Sequence, residues 1–230
     1  MYHLAMTEEL MVGTFGWDYP EWVGPYYPDD LPDDWRFGYY SNDFRSVLVP
    51  AGHFRGDDAS ISDWAEDCDE SFRLVIEIPG ALFTKDGSAA LAEFMLQLGP
   101  LSQRVAGCFV DLTELSTAES LAEPLELIAR YAPLCLKLPP TVAPEIAALA
   151  KRVRAGICWL PEVTPAPAPG GRLVLALTDS SDPKAQRHMI ESLEEWMQQS
   201  GGIAGLFFTG GARAARAASQ ARVIAEMLGI

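Results

Sequence analysis

Short apolar runs rich in β-formers alternate along this chain with longer stretches of helical periodicity, and eight such runs can be counted. They cover residues 11–15, 46–49, 72–76, 106–111, 134–137, 156–160, 173–178 and 204–208. Most are apolar at both odd and even positions, the mark of strands covered on both faces. Strands separated by crossovers of this length pair in parallel, because a tight turn cannot return the chain in the same direction. The pattern therefore predicts an α/β chain.

The stretches between the runs differ in helical quality. Residues 88–98, 118–131, 142–154, 183–199 and 211–228 are rich in Ala, Leu, Glu and other strong helix formers. Shorter helices are predicted over 34–41 and 61–69, whereas the Pro-Ala-Pro-Gly run at 163–171 cannot propagate a helix. The sixth crossover is read as a bare loop. Eight strand–crossover units in 230 residues suit a single TIM-barrel-like (β/α)8 domain spanning 1–230, with 1–9 a flexible terminus. A doubly wound open sheet fits the same alternation, but no strand is followed by a convincing G-x-G-x-x-G dinucleotide fingerprint.

The formal net charge of -15 predicts an acidic protein that repels polyanions, so nucleic acid is disfavoured as a partner. The acidic pairs Asp29-Asp30, Asp33-Asp34 and Asp57-Asp58 read as solvated turns. Cys68, Cys108, Cys135 and Cys158 show no C-x-x-C spacing and two of them sit in apolar strand runs, so free thiols in a reducing compartment are expected. The N-terminal residues carry no secretory pattern and no segment reaches membrane-spanning length, which points to a cytoplasmic protein without a membrane partner.

One segment is more specific than any periodicity. Residues 13–28 read Gly-Thr-Phe-Gly-Trp-Asp-Tyr-Pro-Glu-Trp-Val-Gly-Pro-Tyr-Tyr-Pro, with glycines, aromatics and prolines at fixed spacing straight after a strand. This resembles the opening motif of the YecE-like family, domain of unknown function 72, usually G-T-S-G-W-x-Y-x-x-W-x-G-x-F-Y-P. Phe15 and Tyr26 are its departures here. The resemblance continues through Leu31, Tyr39-Tyr40, Phe44 and Val47, then Trp64, Phe72 and Pro79, and returns at Gln220-Ala221. It implies a TIM-barrel-like fold and no known reaction.

The family's polar positions are largely replaced. Its second strand, V-E-x-N-x-T-F-Y, here reads Val47-Leu48-Val49-Pro50-Ala51-Gly52-His53-Phe54, without the Glu and Asn. Glu77 stands for a family Lys, Thr84 or Lys85 for a His, Asp111 for a Gln, and Cys135, Lys137 and Leu138 for Glu, Arg and His. The resemblance thus implies a retained scaffold with its site rebuilt or abandoned, and Phe15, Leu48 and Pro50 are expected to make one side of the mouth less polar.

In such a barrel, ligands meet the residues just past each strand. Here these are Trp17, Asp18 and Tyr19; His53 and Arg55; Glu77; Asp111 and Glu114; Lys137; Glu162; Asp179; and Thr209, Gly210 and Gly211 with Arg213. Asp18, Glu77, Asp111, Glu162 and Asp179 could form an acidic ring for a cation or an acid/base pair, or could be caps and turns. His53 is a proton shuttle or a packed ring. Lys137 is either a buried amine suited to Schiff-base chemistry or a lysine snorkelling to solvent. The aromatic loop is a stacking platform or a lid. The glycine pair before an Ala-rich helix is an anion site or a plain turn.

No cofactor and no metal is predicted. Two functions follow as expectations: a barrel binding a small polar or phosphorylated metabolite at its C-terminal face, or a degenerate, non-catalytic scaffold engaging a protein partner through its aromatic loop or acidic surface.

Overall fold

The computed structural model describes residues 10–55, 58–84, 87–113 and 118–230. The terminus 1–9, Asp57, Lys85 and Glu114 lie outside these, as does the Arg55 side chain. Eight strands form: β1 (Met11–Phe15), β2 (Ser46–Val49), β3 (Arg73–Glu77), β4 (Val105–Asp111), β5 (Leu134–Lys137), β6 (Gly156–Ile157), β7 (Leu173–Thr178) and β8 (Ile203–Phe208). All pairings between them are parallel, in the order β6-β5-β4-β3-β2-β1-β8-β7.

The two ends of that order meet through Trp159. Its N–H donates to Leu175 O at 2.8 Å, and its carbonyl accepts from Leu177 N at 3.0 Å, a single parallel bridge to Ala176 that closes the barrel. The sequence pattern predicted a strand through residue 160, but the ladder stops earlier. Leu160 N–H is taken by Thr164 Oγ1 at 3.2 Å, and Pro161 has no N–H to offer.

Alternation along the strands divides the core in two. Met11, Leu48, Val75, Phe109, Cys135, Cys158, Leu175 and Phe207 fill the barrel interior, with Phe15 and Leu160 against them. Their neighbours, Val12, Val47, Leu74, Cys108, Leu134, Val174 and Leu206 among them, face the helices. The interior is a packed apolar plug, as barrels of this size require. Phe15 meets Phe109 edge-on at 6.5 Å, so the family's Ser position is indeed apolar here.

Among the described residues seven α-helices surround the strands: α1 (Arg36–Asp43), α2 (Asp58–Asp67), α3 (Ser88–Gln97), α4 (Ala118–Tyr131), α5 (Pro144–Arg152), α6 (Pro183–Ser200) and α7 (Ala214–Leu228). Proline at the first helical position starts α5 and α6, where its missing N–H costs nothing. Asp182 caps α6 through Lys184 N at 3.2 Å. Helix α7 begins three residues later than its composition suggests, since Gly210 and Gly211 adopt φ of +76° and +63°, outside the helical region. No helix lies between β6 and β7; the expected loop is held by Trp159 Nε1 on Thr164 O (3.2 Å) and Trp196 Nε1 on Ala168 O (3.0 Å). All four cysteines are buried and free. Among the described residues no helix is long and apolar enough to cross a membrane.

Candidate functional site

Parallel register places the last inward residues of β3, β4 and β5 side by side: Glu77 pairs with Phe109, and Asp111 with Lys137. Lys137 Nζ donates to Asp111 Oδ2 at 2.7 Å, each side chain about one-third exposed. The other Asp111 oxygen accepts Thr113 N at 2.9 Å and Thr113 Oγ1 at 2.5 Å. Glu77 Oε2 accepts the Ala51 N–H at 2.8 Å, tying the end of β3 to the turn after β2. Three half-buried charged groups thus sit over the apolar plug at the C-terminal end of the strands.

Their environments push the two acids apart. Burial raises Glu77 above the ordinary carboxylate range, against the Ala51 N–H, with nearby Asp111 adding to the rise. At Asp111 burial acts in the same upward direction, but the hydrogen bonds from Lys137 and Thr113 outweigh it and hold the carboxyl below its usual value. Because Glu77 binds its proton more tightly folded than unfolded, its stabilising contribution is present below the unfolded value and lost as pH rises through the folded one. Glu77→Gln keeps the acceptor for Ala51 and removes the charge. The melting-temperature gain of this variant over the parent is expected to grow from about pH 4 to about pH 7, checked by paired thermal melts; a gain independent of pH would contradict the burial argument.

Trp17, Asp18 and His53 form a neighbouring group of their own. Trp17 is buried against Phe37, Trp64 and the His53 ring, the last at 4.4 Å between centroids. Asp18 pairs with Arg36, which also holds Asp33 at 2.5 Å. Burial lowers the His53 imidazole, opposed by Asp18. Tyr19 donates to Phe15 O, and its hydroxyl is raised by burial, by Glu21 and by Glu77, which places it at the rim of the Glu77 group. Trp22 and Tyr27 are fully buried; Tyr27 bonds Trp17 O at 2.6 Å, and Trp22 Nε1 bonds Gly211 O at 3.0 Å. The aromatic loop is packed on itself and against α1 rather than held open as a stacking platform.

Glu162 accepts from Thr178 Oγ1, and Asp179 is exposed. The five acids therefore do not gather into one ring, and among the described residues no group of three or more His, Cys, Asp or Glu could hold a metal ion. At the end of β8, Thr209 N–H donates to Thr178 O at 2.8 Å, while Gly211 O accepts from Ala214 N and from Trp22. The N–H groups of Gly210, Gly211 and Ala212 make no hydrogen bond within the described protein. The arginine that anchors Asp18 was missed at the level of sequence, since nothing in the spacing of 18 and 36 marks them as partners.

Residues 11–166 match the family model described as protein of unknown function DUF72. A DUF72 family protein from Enterococcus faecalis superposes with a TM-score of 0.71 at 14% identity, over 94% of this chain and 95% of that one. A DUF72 family protein from Thermotoga maritima gives 0.70 at 16% identity, over 96% and 100%. These likenesses bear on the fold, which is TIM-barrel-like. No curated protein matches in sequence.

Proposed function

The chain belongs to the DUF72 family, and on that footing we propose that it binds a small polar, phosphorylated metabolite at the C-terminal face of its barrel. The observation that carries this reading is the convergence of Glu77, Asp111 and Lys137 from three adjacent strands over a sealed apolar interior. Partly buried charged groups gathered where a barrel meets its ligands make a candidate working site. Lys137 and Glu77 would take the polar body of the ligand. Across the mouth, the uncommitted N–H groups of Gly210, Gly211 and Ala212 precede the 15-residue α7 and would take the phosphoryl group.

Titration of the 15N-labelled full chain with glycerol 3-phosphate tests this. The amides of residues 210–212 should shift, and Lys137→Met should weaken binding about tenfold. Unmoved amides, or equal affinity in the variant, would refute it.

A second reading, the non-catalytic scaffold, is favoured by one observation. Between α1 and α2 lies an open cavity of about 520 Å3 lined by Leu31, Trp35 and Tyr39 together with Asp34, Asp63, Glu66 and Asp67. Trp35 is 65% exposed there, beside acids that make no ion pair among the described residues. Retention of a cationic protein partner by the parent but not by Trp35→Ala would support that reading over the first.

A further inference from the structure

The missing helix of the sixth crossover leaves a second concavity, on the outer wall of the barrel. It measures about 660 Å3 and lies between α5, β6 and the strapped loop 164–171, with Trp159, Trp196, Val174, Ala147 and Ala150 among its lining. In a complete ring a helix would cover this face. Ile157, on its edge, is 42% exposed.

The charge around it runs against the rest of the molecule. Lys151 lines the groove, Arg154 donates its N–H to Lys151 O at 3.2 Å, and Arg172 donates its N–H to Arg154 O at 3.1 Å. Of the three, Lys151 lines the groove, while Arg154 and Arg172 are joined to it through the backbone and precede the β6 and β7 strands, adjacent in the chain to the lining residues Ala155 and Gly171. All three are exposed, and none pairs with a carboxylate among the described residues, whereas Arg152 beside them takes Glu126 at 2.9 Å.

We propose that this groove binds an amphipathic carboxylate, an aliphatic chain laid against Ile157 and the loop 164–171 with its acid head at Lys151, in the field of Arg154 and Arg172. The volume lies within the range of small-molecule sites. A partner helix about 10 Å across would exhaust it in under two turns, which favours a small ligand over a docked helix. Apolar walls with a polar group at one end are the general form of such sites. The reading is independent of the barrel mouth.

Below their micelle-forming concentrations, octanoate and decanoate should bind the full chain, with affinity rising about fourfold per added methylene. Decylamine should not bind. The indole N–H resonances of Trp159 and Trp196 should shift, because both donate to loop carbonyls at the groove. Lys151→Glu, a change at an exposed position that leaves the core intact, should weaken decanoate about tenfold or more, and Ala150→Phe should block it sterically. Equal binding of decylamine and decanoate, or shifts confined to residues 210–212, would overturn the proposal. So would undiminished binding by Lys151→Glu, or capture of an acidic amphipathic peptide at the groove in place of the fatty acid.

Discussion

Replacing Gly156 by alanine is expected to destabilise the protein by about 3 kcal/mol, a fall of roughly 10 °C in melting temperature for a domain of this size. A Cβ at this position would overlap the Leu173 carbonyl oxygen and carbon. These are backbone atoms of β7, and they cannot rotate away as a side chain could. Gly156 lies three residues before Trp159, whose bridge to Ala176 closes the ring, and a Cβ at Gly171 would in turn strike the Gly156 backbone. The methyl group must therefore push the seam apart. Exposed Gly52, where a Cβ meets nothing within 4 Å, provides the control. A thermal melt in which Gly156→Ala and Gly52→Ala behave alike would show that the seam has slack.

Tyr40→Phe is expected to cost about 2 kcal/mol, roughly 6 °C, although it removes one oxygen and no packing. The Tyr40 hydroxyl accepts Thr14 N–H at 3.0 Å and donates to Ser46 O at 3.0 Å, with the Thr14 hydroxyl also 3.0 Å away. It ties Thr14 of β1 to Ser46 at the start of β2. Tyr40, Thr14 and Ser46 are essentially inaccessible to water, so in the variant a donor and an acceptor are stranded without solvent. Chemical denaturation should show the loss as a shifted midpoint with an unchanged slope, since the folded and unfolded surfaces scarcely alter. An unshifted midpoint would mean that these groups find other partners.

The strands were legible because both faces of most of them are buried, and burial on both sides leaves apolar runs. The boundary of β6 was not, because it is decided by the Thr164 hydroxyl reaching back to Leu160, a contact set by how the loop folds. The late start of α7 has a similar origin in Gly210 and Gly211, which the helix-rich composition downstream masks. At the site, Asp111 and Lys137 emerge from the sequence as post-strand residues, and parallel register then makes them direct neighbours. Asp18 and His53 satisfy the same positional rule yet pack with Arg36 and Trp17, respectively, apart from Glu77. Position after a strand says that a side chain is near the mouth. It does not say which way the following loop turns, and in this chain the aromatic motif turns it toward α1.

The loop that replaces the sixth helix has an evolutionary corollary. Its backbone contributes nothing to the ladders between 163 and 171, and it is fastened chiefly by two indoles from elements on either side. Residues gained or lost there shift no strand against its neighbour, whereas a one-residue change inside any of the eight strands would turn an interior side chain outward. Descendants of this chain can therefore lengthen that stretch, regrow a helix in it or shorten it further while the hydrogen-bonded frame is inherited unchanged.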